Sequence, residues 1–136
     1  MEPSPELRDL TKSLYQAMTT GDASFVTTFS RQPGVLCIGT DPAEWWSDYP
    51  TLERVVTAQL REMGAGGVRV VAGNPQAHQE GSVGWAADQP TIQMPDGTKM
   101  PARLTHAWPI ARVARGRSSR RTSRSARATR RSSAKR

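Results

Sequence analysis

The sequence has little of what builds covalent or metal-bound sites. Among its 136 residues there is one cysteine, Cys37, and there are only two histidines. A single cysteine excludes an internal disulfide, and the cysteine and histidines do not fall at the spacings of a metal site. Cys37 lies in an apolar run, which favours a buried and unreactive thiol. We therefore expect neither a metal nor another cofactor.

Long apolar runs are also lacking. No apolar run approaches the ~20 residues that a membrane-spanning helix needs. The first nine residues, MEPSPELRD, are acidic and polar and do not resemble a signal peptide. We expect a protein with no membrane contact and a cytoplasmic location, and a chain of this length forms one small domain.

Acidic residues are absent from one long stretch of the chain. Residues 112–136 contain 11 of the 19 Lys and Arg residues and no Asp or Glu, whereas the other 111 residues carry 8 basic and 12 acidic side chains. The net charge of +7 therefore belongs to the tail, and the mildly acidic remainder does not favour a nucleic-acid groove. The sequence predicts a folded domain over residues 1–110 and a basic, disordered tail over residues 111–136.

Two helices are predicted near the N-terminus. Ser4 and Pro5 form a helix start with a capping hydroxyl and proline at the first helical position. Leucine and other apolar residues then recur at helical spacing as far as Met18. Gly21 ends this helix, and Asp22 can cap a short second helix.

The stretch that follows predicts a strand, a turn and a longer helix. Residues 35–38 are continuously apolar, as in a strand covered on both faces. Residues 41–44 have the pattern of a helix-capping box, which would place Trp45 and Trp46 on a helical turn with one of them packed into the core. The clearest periodic helix covers residues 51–63, with its apolar positions on one face.

The second half of the chain has the patterns of strands. Gly84 and Ala86 alternate with larger residues on the strand over 82–88, so one face of that strand leaves room for something to lie against it. A turn at residues 95–97 predicts a β-hairpin. The predicted strands cover residues 68–72, 76–79, 82–88, 91–94 and 98–106. The order of elements predicts an α+β fold, in which a cone-shaped, curved antiparallel sheet packs on a long helix at 51–63 with the N-terminal helices as cover.

Three segments carry a family resemblance. The strings IGTDPAEWW, GSVGWAADQPTIQMPDGT and RLTH, with the order of elements, resemble the nuclear transport factor 2-like superfamily and its SnoaL-like branch, which is related to polyketide cyclases and ketosteroid isomerases. The resemblance covers residues 5–106. It implies a cone-shaped domain, commonly a homodimer through its sheet, with a pocket between sheet and helix. Isomerases, cyclases, dehydratases and ligand binders share this fold, so it assigns no reaction.

The tail departs from that family. After a segment like RLTH, its members continue into one more strand with aromatic and His residues. Here the chain continues into the Arg-rich tail, and reading a neighbouring frame of freely chosen synonymous codons can produce a strand-like string instead. We therefore favour a frameshifted C-terminus that lacks the last strand, and sequencing the gene around codons 106–112 tests this. The alternatives are a basic arm that binds nucleic acid or another polyanion, and a truncated paralogue without function.

The candidate site residues follow from the expected pocket. Candidates for lining it are Tyr15, Phe29, Trp45, Trp46, Trp85, Met100 and His106. Candidates for acid–base chemistry are Asp41, Glu44 and Asp88. Each has a plainer alternative, namely packing for the aromatic residues, helix capping for Asp41, a turn for Asp88 and a structural role for a lone inward-facing His106. The expected ligand is an apolar, ring-containing small molecule, and isomerase- or cyclase-type activity on it stays open.

Overall fold

The computed structural model describes residues 1–109. Within these residues the elements are, in chain order, strand β1 (Glu2–Pro3), helix α1 (Pro5–Thr20), a 3₁₀-helix (Ala23–Thr28), β2 (Cys37–Ile38), β3 (Trp45–Trp46), helix α2 (Tyr49–Ala65), β4 (Arg69–Val71), β5 (Gln76–Glu80), β6 (Val83–Asp88), β7 (Thr91–Gln93), β8 (Lys99–Pro101) and β9 (Leu104–Pro109). The predicted basic tail and the frameshift interpretation lie outside the described residues.

Helix α1 begins and ends where the sequence predicts, and the 3₁₀-helix begins at the predicted cap. The Ser4 hydroxyl accepts a hydrogen bond of 3.4 Å from the backbone N–H of Leu7, and Gly21 ends α1 in the left-handed conformation at φ 73°. Asp22 then caps the 3₁₀-helix by accepting 3.0 Å from the N–H of Ser24. Local capping chemistry therefore determines both boundaries.

The predicted helical turn with the two tryptophans is wrong. Trp45 and Trp46 form β3, which pairs antiparallel with β2, and Asp41 accepts a 2.8 Å bond from the backbone N–H of Ala43 inside the connecting turn. Asp48 caps α2 instead. The strand over 35–38 is not covered on both faces either, because the Ile38 side chain is 58% exposed. Asp41 is therefore a turn residue and not a helix cap.

The strands form two main antiparallel sheets. Their orders are β1-β5-β6-β9 and β4-β7-β8. The hairpin of β7 and β8 is confirmed. The single strand predicted over residues 98–106 is wrong, because the chain changes direction after Pro101 where the Ala102 N–H bonds to the Pro90 carbonyl at 3.0 Å. Met100 and His106 consequently lie in different sheets.

Helix α1 covers the four-stranded sheet. It packs on β5 and β6, whereas α2 packs mainly on α1 and the 3₁₀-helix. This differs from the expectation that the sheet would pack on the helix over 51–63. We call the α1-facing side of the four-stranded sheet the inner face; it carries Ala77, Gly84, Ala86, Asp88, Leu104, His106 and Trp108. Leu7 on α1, 1% exposed, is packed there against Ala77 and Ala86.

No helix within residues 1–109 combines the length and apolar character that crossing a bilayer requires. The helices and antiparallel sheets confirm the predicted α+β class.

Candidate functional site

A tyrosine and an aspartate meet between α1 and the inner face. The hydroxyl of Tyr15, 3% exposed, donates 2.9 Å to Oδ2 of Asp88, which is 7% exposed. Asp88 also accepts from the backbone N–H groups of Gly73 at 3.1 Å and Asn74 at 2.9 Å. Burial, and then the bond and the charge of Asp88, raise the pKa of the Tyr15 hydroxyl well above its ordinary value. The pair fixes β6, α1 and the loop after β4 to one another.

His106 lies at the centre of a directional chain of hydrogen bonds. The single hydroxyl proton of Thr11 is donated to the Leu7 carbonyl at 2.9 Å, so Nε2 of His106, 2.7 Å from Thr11 Oγ1, is the donor in that contact. At the other ring nitrogen, the indole Nε1–H of Trp108 donates to Nδ1 of His106. An indole can only donate, so both ends of the chain assign the same neutral tautomer. Burial lowers the pKa of His106, which favours this uncharged form.

These two hydrogen-bonded groups are neighbours. Thr11 and Tyr15 are four residues apart on α1 and so lie one turn apart on the same face. In the sheet, Ala86 is opposite His106 and Asp88 is opposite Leu104, which makes Asp88 and His106 diagonal neighbours about 7–8 Å apart. We call Thr11, Tyr15, Asp88 and His106 the inner polar cluster.

Trp108 was missed by the sequence reasoning. In register it lies opposite Gly84. Its indole is 5.4 Å from the Phe29 ring and 5.8 Å from the His106 ring, centroid to centroid, and it packs against both hydrophobic core clusters. The alternation of Leu104, His106 and Trp108 is a usable signal, but the predicted strand ends at His106. The Trp108 indole therefore lies beside the place on the inner face where Gly84 has no side chain.

The structure brings together only part of the predicted site. Tyr15, Asp88, His106 and Phe29 lie between the helices and the inner face. Trp46 is half-buried against the main core. Trp85 is on the opposite side of the sheet, stacked on His78 at 6.4 Å. Trp45, at 60%, and Met100, at 43%, are exposed on other strands.

The predicted acid–base residues Asp41 and Glu44 lie away from the inner polar cluster. Asp41 is exposed, and Glu44 is half-buried beside Cys37. Burial first, and the Glu44 charge second, raise the pKa of the Cys37 thiol. A raised pKa disfavours the thiolate, which is the reactive form. In residues 1–109 there is no group of three His, Cys, Asp or Glu side chains arranged to hold a metal ion.

Two open surface clefts lie away from the inner polar cluster. One, of about 380 Å³, lies between α1 and the 3₁₀-helix over Ala17 and Phe25. The other, of about 410 Å³, follows the solvent face of α2 beside Glu53 and Arg54. Neither contains a residue of the predicted site.

The two groups of the inner polar cluster that a ligand could contact already have partners within the chain. Nδ1 of His106 is a proton acceptor with its partner nitrogen anchored on Thr11. Tyr15 is a donor whose hydroxyl is already used by Asp88. In this neutral tautomer the unprotonated nitrogen Nδ1 is the hydrogen-bond acceptor of the ring.

The fold has relatives among solved structures. A protein described as a calcium/calmodulin-dependent protein kinase II association domain, from Xanthomonas campestris, superimposes with a TM-score of 0.55 at 15% identity, over 80% of this chain and 84% of that one. An NTF2-like (nuclear transport factor 2-like) protein with a cystatin-like fold from Novosphingobium aromaticivorans gives 0.55 at 16%, over 76% and 68%. Aln2 from a Streptomyces species gives 0.51 at 16%, over 77% and 82%. These likenesses define the class of fold: a cone-shaped, nuclear transport factor 2-like α+β domain.

The family is identified by sequence. The family model of the SnoaL-like domain matches residues 7–108. This range includes all four residues of the inner polar cluster and Trp108. The chain therefore belongs to the SnoaL-like domain family. No curated protein matches the sequence.

Proposed function

We propose that this chain binds an apolar, ring-containing small molecule on the inner face of its sheet, beside His106. The observation that carries the proposal is the hydrogen-bond chain through His106, which keeps a neutral imidazole on the inner face between Thr11 and Trp108. Burying polar groups costs free energy unless each one is bonded. Apolar side chains at these positions would make the fold equally stable, as replacements of buried polar groups in other proteins indicate. Stability alone therefore does not explain the polar residues here.

The surroundings of His106 suit a ring. Phe29 and Trp108 supply aromatic surface, and Gly84 and Ala86 supply little side-chain bulk on the strand behind them. The matching family and the nuclear transport factor 2-like fold support a ligand between helix and sheet. For isomerase- or cyclase-type chemistry, Nδ1 of His106 is the group that would take a proton from the ring, and no particular reaction is assigned.

Ligand titration of matched histidine variants tests the proposal. His106→Gln removes the imidazole on the inner face, and His78→Gln removes the one on the opposite face. Intrinsic tryptophan fluorescence is followed while polycyclic and polyketide-like aromatic compounds are added. We expect saturable changes for the wild type and His78→Gln, and weaker binding for His106→Gln. No response from the wild type across the set would contradict the proposal.

We also propose a homodimer through the opposite side of the sheet. Val83, 50% exposed, lies on β6 next to the half-buried Trp85, and Ala107 is opposite Trp85 on β9. These residues form an apolar patch suited to a second copy of the sheet. Sedimentation of wild type and Val83→Glu tests this, because a charge within the patch should give monomer. A wild type that is monomeric at high concentration would contradict the dimer.

A second candidate function concerns the tail. Its 11 basic residues in 25, with no acidic residue, favour non-specific binding of nucleic acid or another polyanion. Such binding should weaken steeply with salt, because counterions are released from the polyanion. Deleting residues 112–136 should abolish it while leaving the binding of ring compounds intact. Retention of polyanion binding after the deletion would contradict a role for the tail.

A further inference from the structure

We propose that the indole of Trp108 is an internal occupant of the ligand site, so that the ligand is a flat bicyclic aromatic compound with one hydrogen-bond donor that takes the place of the indole N–H on Nδ1 of His106. This inference rests on the proposed function and narrows the class of ligand.

The space that the Trp108 indole occupies beside His106, Phe29 and Gly84, which we call the seat, has the features of a small binding site. Its edge donor is paired with Nδ1 of His106, and its ring packs beside Phe29. It lies opposite Gly84, so the strand behind it brings no side chain into the space. Trp108 makes a polar and an aromatic contact in this space. A ligand that makes the same two contacts would therefore fit there.

Thr11, on the other side of the His106 ring, determines that Nδ1 is a hydrogen-bond acceptor. Thr11 gives its only hydroxyl proton to the Leu7 carbonyl and must accept from Nε2 of His106. The neutral ring therefore has no proton at Nδ1, and only a donor can replace the indole there. A hydroxyl or ring N–H on the ligand meets this requirement, whereas an ether, ketone or carboxylate oxygen does not.

Trp108 is also placed where it can leave. It is half-buried and stands on β9, which ends the order of the four-stranded sheet in the described part of the chain. Its ring packs against both core clusters but is not one of their buried residues. Outward movement of one side chain would open the seat without breaking the pairing of β6 with β9.

The test compares two probes of the same shape on the full chain. Trp108→Ala vacates the seat, and indole is compared with benzofuran, which has an oxygen in place of the N–H. We expect indole to bind at least about tenfold more tightly, because benzofuran would leave Nδ1 without a partner. In the double variant with His106→Leu the preference should disappear. Equal affinity of Trp108→Ala for the two probes would overturn the proposal.

A second measurement uses the wild type and decides the question if Trp108→Ala does not fold. 2-Naphthol and naphthalene are added, and the indole N–H resonance of Trp108 is followed by NMR with that of Trp85 as the internal control. We expect 2-naphthol to shift the Trp108 resonance alone, and naphthalene to be at least about tenfold weaker.

The outcomes separate the two proposals. Ring binding at the inner face with an unchanged Trp108 resonance would leave the proposed function standing and overturn this inference. A wild type that binds no ring, with a Trp108→Ala variant that prefers indole, would support the chemistry of the seat and contradict the proposed function. If the wild type binds no ring and the variant does not fold, both proposals fail.

Discussion

Tyr15 and Asp88 are 73 positions apart in the chain and are joined by a buried hydrogen bond of 2.9 Å. Because Asp88 also accepts from the backbone of Gly73 and Asn74, one carboxylate connects a helix, a strand and a loop. This arrangement makes Asp88 chiefly a structural residue in the folded chain.

Replacing Asp88 should cost far more stability than replacing Tyr15. Asp88→Ala leaves three donors without their acceptor, two of them backbone groups, and we expect a loss of about 3 kcal/mol or more in the free energy of unfolding. Tyr15→Phe removes one bond and should cost about 1 kcal/mol. Urea denaturation measures both, and Asp96→Asn, at an exposed turn carboxylate, is the control. Near-equal losses at residues 15 and 88 would contradict this account.

The ends of α1 and α2 approach too closely for a side chain. A Cβ at Gly64 would lie 2.4 Å from the Cα of Gly21. Gly64→Ala should gain up to ~1 kcal/mol of helix propensity, but an overpacked backbone contact costs about 1–3 kcal/mol. We expect a net loss in thermal stability, while Gln59→Ala on the exposed face of α2 should be neutral or stabilising. An increased Tm for Gly64→Ala would show that the helices can separate at little cost.

Stability should fall in mild acid through His106. Burial lowers its pKa in the folded state below the unfolded value of about 6.5, so the unfolded chain takes up a proton first. The stabilisation is therefore complete above about pH 6.5 and is lost as the pH falls below it. Protonation also removes the lone pair that accepts from Trp108.

Denaturation from pH 8 to pH 4 measures this dependence. His106→Gln should flatten the difference between neutral and acid stability, and His78→Gln should keep the wild-type slope. The acid contributions of capping residues such as Asp22 and Asp48, whose pKa values are lowered by the N–H groups and hydroxyls they accept from, are common to all variants. Parallel curves for wild type and His106→Gln would rule out the role assigned to the imidazole.

The two adjacent tryptophans should differ strongly. Trp46 packs against the main core, whereas Trp45 is 60% exposed. Trp46→Ala should cost about 3 kcal/mol and Trp45→Ala less than about 1 kcal/mol. Acrylamide should quench Trp45 efficiently, so its removal should lower the quenchable fraction of the fluorescence. Similar stability losses for the pair would mean that the β2–β3 hairpin is packed differently.

Local signals predicted much of the fold and little of the site. Helix caps at Ser4 and Asp22, and the β-hairpin after residue 91, depend on neighbours within a few residues, and the structure confirms them. The turn at Asp41 misled, because the same Asp-Pro pattern serves an Asx-type turn and a helix start. Only pairing of β2 with β3, seen in the fold, distinguishes the two.

The candidate site depended on register between distant strands. Tyr15, Asp88 and His106 were all named from the sequence, but so were exposed residues such as Trp45 and Met100. Alternation tells which residues share a face of a strand, and it does not tell which face α1 will cover. Which of the two faces of β6, that of Gly84 or that of Trp85, lies under α1 was therefore known only once Leu7 was seen packed on Ala86.

The sequence by itself determined the class of the fold, the ends of α1 and the alternation along each strand, because these follow from propensity and capping within a few residues. The tertiary structure decided that α1 covers the inner face, that Trp108 stands opposite Gly84, and that His106 is held as one neutral tautomer. The hydrogen bond from His106 reaches Thr11 across 95 residues. A contact of that separation is set by how the sheet packs on the helix, and no short stretch of sequence encodes it.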